Sequence, residues 1–459
     1  MAEFIVAIEL GSSSIRGIAG KKNPDGSISV QALVKEDASQ CIRKGVVYNI
    51  DKTAVCLKSI VSKLRKTLKF EITHVYVGVG GQSVRSVRNI IVKDLPSETI
   101  IGSDVVYDLM DANRNMNYPE QEILDAATQE YKIDNQYTLD PVGIKATRLE
   151  GNFLNILLRK TFYNNLNTCF DKAGIAIAEI YLAPLVLADS VLTESEKRGG
   201  CVLVDMGADT TTTAVYYKGV LRHLAVIPLG SNNITKDIAS YPMEEREADL
   251  LKLRYASAYT ETSDIDPTLT YSINSDQSIE SHKLIEMVEA RVEEIIKNVW
   301  HQVPAEYIGK LLGGIIITGG GSNMKNMEVA FKRHTGAEKI RQAHFVGLTI
   351  KSNNEDIKKR DATLNTIIGL LAKGDMNCAG QAIDTTKGLF DESGNPGQPA
   401  GTPASGTQET QKQTATKKEE EPKKEEPKEE EPSETKSGFF KKFANRLKSF
   451  GGKLMEPEE

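Results

Sequence analysis

Two segments far apart in the chain repeat one pattern: an apolar run, an acid, one residue, a glycine, then small hydroxyl side chains. The first reads Ile5-Val6-Ala7-Ile8-Glu9-Leu10-Gly11-Ser12-Ser13-Ser14, with Arg16 just beyond. The second reads Cys201-Val202-Leu203-Val204-Asp205-Met206-Gly207-Ala208-Asp209-Thr210-Thr211. Glycine lets backbone N–H groups approach phosphate oxygens, and the hydroxyls are further donors. An acid at a strand end can hold Mg2+, usually through water, because this ion gives up its hydration shell reluctantly. Glu9 and Asp205 are therefore candidate metal ligands, and Arg16 can face a phosphate. Asp209 reads as an acid that caps its own turn rather than as a catalytic group. Either segment alone could be an ordinary glycine hairpin. A third element adds weight: Gly314-Ile315-Ile316-Ile317-Thr318-Gly319-Gly320-Gly321-Ser322-Asn323 is a buried-type strand running into three glycines. Such a turn leaves room for a flat base or a ribose. It is neither a Walker A loop nor a GxGxxG fingerprint.

These motifs need strands to carry them, and the chain supplies apolar runs at Phe4–Ile8, His74–Val79, Cys201–Asp205, Thr212–Tyr217 and Gly314–Thr318. They alternate with helical patterns, such as Ser281–Trp300, as in α/β proteins. Asn89–Val92 reads as a strand and Pro119–Glu130 as a helix. His74 and His223 sit in strand-like context with no partner at metal spacing, and Trp300 closes an apolar helix face. A chain of 459 residues has room for two or three domains, and its net charge of −6 argues against nucleic acid as a partner. The five cysteines (Cys41, Cys56, Cys169, Cys201, Cys378) show no CxxC pairing, which predicts a reducing compartment and no structural zinc. There is no signal peptide and no apolar stretch of about 18 residues, so any membrane contact is expected to be peripheral, from the cytoplasm.

From about Thr385 to Lys436 apolar residues nearly vanish, and the segment becomes a Lys/Glu/Pro run; it is predicted to be a disordered linker. Beyond it, Ser437–Met455 set on a helix gathers Phe439, Phe440, Phe443, Leu447, Phe450 and Leu454 in one sector of about 100°. Lys441, Lys442, Arg446 and Lys448 lie outside that sector. An aromatic apolar face beside a basic one is the composition of an interfacial helix on an anionic membrane surface, although a groove on a partner protein would accept the same pattern.

The ordered trio of glycine turns is the signature of the actin and hexokinase ATPase superfamily, and within it the chain resembles the FtsA family of bacterial cell-division proteins. The resemblance runs from about Met1 to Leu371 and resumes at the terminal helix. It includes Ser190–Arg198, Gly219–Pro228, and Gly230 with Asn233–Ile238. It implies a two-lobed α/β fold of actin-like type with ATP and Mg2+ between the lobes. The first lobe would comprise 1–85, 164–197 and part of 361–384, with an α+β subdomain inserted at 86–163. The second lobe would comprise 198–227 and 312–384, with an outer subdomain at 228–311. Disordered linker 385–436 and amphipathic helix 437–455 would follow. Asp249 and Lys252 match a segment that flanks the nucleoside, with an acid shortened from Glu. Arg291 matches a basic position where the family takes the C-terminal tail of the ring protein FtsZ, although it could equally be a solvated helix partner. The implied function is an ATP-binding scaffold that forms filaments, meets other divisome proteins and tethers the ring to the inner membrane at the septum. Where relatives carry Glu-Pro or a glutamine to position the attacking water, this chain reads Ala183-Pro184, so binding is better supported than hydrolysis. The alternatives fit less well. A sugar kinase needs a cleft acid and has no use for the terminal helix, and a pilus-assembly adaptor lacks the charged linker and tail. A chaperone ATPase needs a β domain where the linker stands.

Overall fold

The computed structural model describes residues 4–382 apart from position 276. The expected linker and membrane helix, with every residue assigned to them, lie outside the described residues. Apolar runs without polar alternation suit strands buried on both faces, and the two that carry the acid–glycine pattern occupy the centres of two sheets. Phe4–Leu10 pairs antiparallel with Ser14–Lys22 and parallel with His74–Val79. The sheet's order is Ala176–Leu182, His74–Val79, Phe4–Leu10, Ser14–Lys22, Ile28–Asp37, then the short edge strand Ile350–Lys351. In the second sheet Cys201–Met206 pairs antiparallel with Thr211–Tyr217 and parallel with Gly314–Thr318. Val220–Ile227 and Ile340–Gln342 complete it on either side. From the centre outward the two five-strand frames share one order and one set of directions. All six predicted strands are present, Asn89–Val92 within a longer strand Arg85–Ile100 and the two acid-bearing ones extended toward their turns.

Helices cover the first sheet closely. Ile50–Leu68 begins at Asn49, whose side chain accepts from the Lys52 N–H, and ends at Lys69 in the left-handed region (φ 58°). Its buried Leu57, Ile60 and Leu64 follow helical spacing. A Cβ on Gly17 would lie 2.3 Å from Ile60 Cγ2, so the bare strand is what lets this helix seat. Asn365–Lys373, also packed on this sheet, sits against Gly78, where a Cβ would lie 2.3 Å from Leu370 Cδ1. That helix anchors the Asp361–Thr366 turn beside the first acid. In the second lobe Ser281–His301, matching the predicted helix, buries Val288, Val292, Ile295 and Val299.

Between His74–Val79 and Ala176–Leu182 the chain builds a separate antiparallel sheet. Its order is Gln136–Thr138, Gln121–Ile133, Lys145–Arg159, Arg85–Ile100. Helix Ser103–Arg114 packs on it around Leu95, Val105, Leu109, Leu149 and Phe153. The helix expected at Pro119–Glu130 is instead part of strand Gln121–Ile133. Its Leu, Ala, Gln and Glu favour helix locally, but Gln129, Tyr131 and Ile133 bury at every second residue, and pairing along Lys145–Arg159 satisfies the backbone. This inserted layer is bonded to the second sheet, not only to the lobe its chain leaves. Ser86 Oγ donates to the Leu224 carbonyl (2.9 Å) and accepts from its N–H (2.8 Å). Buried Gln129 donates to the Leu221 carbonyl (2.8 Å) and accepts from the buried Arg222 guanidinium (3.2 Å).

The last described segment is pinned beneath the first strand. Tyr76 is fully buried, and its hydroxyl donates to Asp375 Oδ1 (2.6 Å) while accepting from the N–H groups of Asp375 (3.0 Å) and Met376 (2.9 Å). Tyr76→Phe removes the buried hydroxyl that these three bonds share. It is expected to lower unfolding stability by about 1–3 kcal/mol in urea titrations, with the slope unchanged.

Candidate functional site

Each central strand ends in a tight turn of the same make. Gly11 N–H donates to the Ser14 carbonyl (3.1 Å), and Gly207 N–H donates to the Thr210 carbonyl (2.9 Å). A Cβ at either glycine would press on that carbonyl at 2.9 and 2.8 Å, which is why both turns begin with glycine. The third turn approaches closer still. Gly319 takes φ +84°, a conformation costly for any side chain, and its missing Cβ would lie 2.4 Å from Asp205 Oδ1. The chain then makes one tight turn over Gly320–Asn323.

The three turns open onto one cleft of about 970 Å³. The first lobe contributes Glu9, Gly11, Ser12, Ser13, Ser14 and Arg16 to its wall. The second contributes Asp205, Gly207, Ala208 and Thr210, then Gly319, Gly320, Gly321 and Asn323, with Asp249 and Lys252 farther along. Four of the predicted site residues are not part of that wall. Thr211 is buried and donates to the Leu229 carbonyl (2.9 Å). Ser322 braces its turn by donating to the Gly319 carbonyl (2.8 Å). Gly230 caps helix Ser231–Ile238. Asp209 does not cap its own turn, as expected from its type; it accepts from Asn232 Nδ2 (2.8 Å) and from the Lys44 N–H of the other lobe (3.1 Å). A side chain that can span two lobes has no need of a local donor.

The acids set the electrostatics. Arg16 Nη1 stands 3.3 Å from Glu9 Oε2 and donates to the Thr363 carbonyl (2.9 Å). Burial pushes the Glu9 carboxyl up, and Arg16 pulls it partly back. For Asp205, burial and then the Glu9 charge raise the carboxyl to about 7, against a smaller lowering by Arg16. The pair thus calls for more positive charge than Arg16 supplies. Ser14 Oγ is buried with no hydrogen-bond partner among the described residues. Ala183, at the start of helix Ala183–Val191, also faces the cleft and presents only a methyl group. Among the described residues no three His, Cys, Asp or Glu side chains gather as a metal cage.

At the far end Lys252 Nζ donates to Asp249 Oδ1 (2.7 Å) and Thr235 Oγ1 (2.6 Å). Tyr255 and Tyr271 stack beside it, with ring centroids 4.2 Å apart, and both line the cleft. Gly80 and Gly81, also on the wall, follow strand His74–Val79 directly, a strand-into-glycine signal like that of the third motif. Tyr271 and Thr363 carry no local signal, since only folding brings them there. Arg291 lies elsewhere: its guanidinium grips Asp237 on helix Ser231–Ile238 (Nη2 to Oδ1, 2.9 Å) and also bonds Glu294.

Twin sheets of one order, with paired glycine turns and a third facing them across a cleft, define a protein of the actin-like ATPase fold. A solved PilM–PilN type IV pilus biogenesis complex shares that fold, with a TM-score of 0.57 and 14% identity over 80% of this chain and 97% of the other. Cell division protein FtsA of Porphyromonas gingivalis is 31% identical over 343 residues, 73% of this chain and 72% of the relative. FtsA of Neisseria meningitidis is 30% identical, covering 70% of this chain and 79% of the relative, and FtsA of Bacillus subtilis is 30% identical, covering 70% and 74%. The family model of cell division protein FtsA matches residues 202–364, and that of the SHS2 domain inserted in FtsA matches 81–157. The chain belongs to the FtsA family and is an actin-like cell-division protein. Among the described residues no helix is long and apolar enough to cross a membrane.

The Asp205 shift carries a stability consequence. Its folded pKa of about 7 lies above the ordinary 3.8, so unfolding releases a proton between those values. The contribution is fully present below about pH 4 and is lost as pH rises through 7. Urea midpoints at pH 5 and pH 8 are expected to fall farther for the native sequence than for Asp205→Asn.

Proposed function

We propose that the chain binds ATP with Mg2+ in this cleft, assembles into filaments, and tethers the C-terminal tail of FtsZ to the cytoplasmic face of the membrane at the septum. The observation that carries the nucleotide reading is the convergence of three glycine turns on two acids served by one guanidinium. The hairpin amides, the Ser14 hydroxyl, unpartnered among the described residues, and Arg16 suit phosphates. Glu9 and Asp205 suit Mg2+, which is commonly held by one or two carboxylates plus waters and phosphates rather than by a protein cage. Bound there, Mg2+ would supply charge neutralisation for the phosphates. Gly319–Gly321, Ser322 and Asn323 would shape the nucleoside end with Asp249 and Lys252, while Thr211 and Gly230 would hold the second hairpin from behind. Ala183 offers no group to orient a water, which favours a switch set by occupancy over rapid turnover. In this reading 86–163 is the inserted subdomain, and 228–311 is the outer part of the second lobe. That outer part would take the FtsZ tail, with the Arg291–Asp237 pair fixing the surface around it. Other divisome proteins would dock on the assembled filament.

The tail completes the reading. One short amphipathic helix holds a bilayer weakly, with about 1 kcal/mol added per basic residue near anionic lipid. Filament assembly would multiply such contacts, raising avidity by roughly 10²–10⁴.

Two tests follow. A Cβ at Gly320 meets only the Thr363 methyl, at 3.4 Å, so Gly320→Asp fits the fold but places a charge in the cleft. Fluorescent-ATP titration is expected to show binding lost with the melting temperature kept; unchanged affinity would count against the cleft. Full-length protein is expected to co-sediment with anionic liposomes, and a version ending before Ser437 is not. Equal pelleting of both versions removes the tether.

A further inference from the structure

The second hairpin carries an acid, Asp209, two residues after its glycine. A carboxylate beside a phosphate loop would repel the ligand unless its charge were engaged elsewhere. Asp209 is engaged. Asn232 Nδ2 donates to one oxygen (2.8 Å) and the Lys44 N–H to the other (3.1 Å), and Asp209 is absent from the cleft wall. Both donors are held by the hairpins themselves. On the second lobe the Asn232 N–H donates to the Ala208 carbonyl (2.7 Å) and the Ser231 N–H to the Gly207 carbonyl (3.0 Å). On the first lobe the Gly45 N–H donates to Ser12 Oγ (2.8 Å). Gly45 also lies so close to Gly81 that a Cβ would meet its Cα at 2.5 Å. Lys44 itself holds φ 49°, a turn that a non-glycine residue adopts at a cost. The connection therefore runs unbroken from Ser12 through Gly45 and Lys44 to Asp209, Asn232 and the second hairpin.

We propose that Asp209 is a clasp across the cleft: its carboxylate holds the second glycine hairpin to the Lys44–Gly45 turn of the first lobe and so governs how fast a bound nucleoside triphosphate escapes. This rests on the nucleotide reading above. Asp209 is a positioning residue, since it acts through the separation of the two hairpins rather than by touching the ligand. Opening the lobes breaks a hydrogen bond to a charged acceptor, a stronger bond than one between neutral groups.

The test uses the full chain with fluorescent ATP and Mg2+. Asp209→Ala is expected to speed dissociation roughly fivefold to tenfold with little change in association rate. Asn232→Ala should act in the same direction, and the double variant should add little to Asp209→Ala. Lys44→Asn keeps the donor N–H and tolerates the left-handed turn, so it should dissociate like the native protein. Amide exchange at Lys44, measured without nucleotide, should quicken in Asp209→Ala. That last measurement decides the clasp even if the native protein binds no ATP, an outcome that would sink only the nucleotide reading. Unchanged exchange at Lys44 overturns the proposal, and so does tighter binding by Asp209→Ala, which would make the acid a repulsive neighbour of the phosphates. A Lys44→Asn effect equal to that of Asp209→Ala overturns it as well, because the side-chain charge would then be acting instead.

Discussion

Two carboxylates are held at the ends of two buried strands, with one guanidinium, that of Arg16, against Glu9. Keeping them there is costly, because a charge taken from water needs compensation, and the rise of both carboxyls expresses that cost. The surroundings follow from it. The turns after the acids are glycine hairpins rich in N–H donors, a third glycine turn presses on Asp205, and Arg16 is steadied by the Thr363 carbonyl. Burial of two acids beside a single guanidinium is a cost that the local hydrogen bonds and the fold as a whole must offset.

The twin sheets explain how a pair of short motifs separated by almost two hundred residues comes to face one cavity. Each acid ends the central strand of its own sheet, and each hairpin continues into the antiparallel neighbour, so similar frames deliver similar turns. The inserted sheet adds a mechanical consequence. Its chain departs from the first lobe, yet its buried Gln129 and its Ser86 bond to strand Val220–Ile227 of the second. The inserted layer is therefore bonded to both frames, by its chain to the first and by hydrogen bonds to the second.

Much of the site was legible in the chain because its requirements are local. An acid, a glycine and hydroxyls in fixed order make a hairpin with donors wherever they occur, and unbroken apolar runs such as Gly314–Thr318 have few alternatives to a buried strand. The amphipathic pattern at Ser437–Met455 is likewise a property of spacing alone. Sequence could also name Ala183 as a departure, since that follows from residue type at a motif position.

Tertiary structure decided what depends on partners distant in the chain. Gln121–Ile133 is a strand because Lys145–Arg159 offers it a ladder, a choice its helix-favouring residues could not announce. Thr211 and Ser322 support the cleft from behind because their neighbours across the sheet and turn claim their hydroxyls. Asp209 reaches the opposite lobe because folding sets Lys44 within one hydrogen bond of it. Short-range sterics and hydrogen bonding determine turns and strands, whereas the direction of a polar side chain is settled by whichever donor folding brings near.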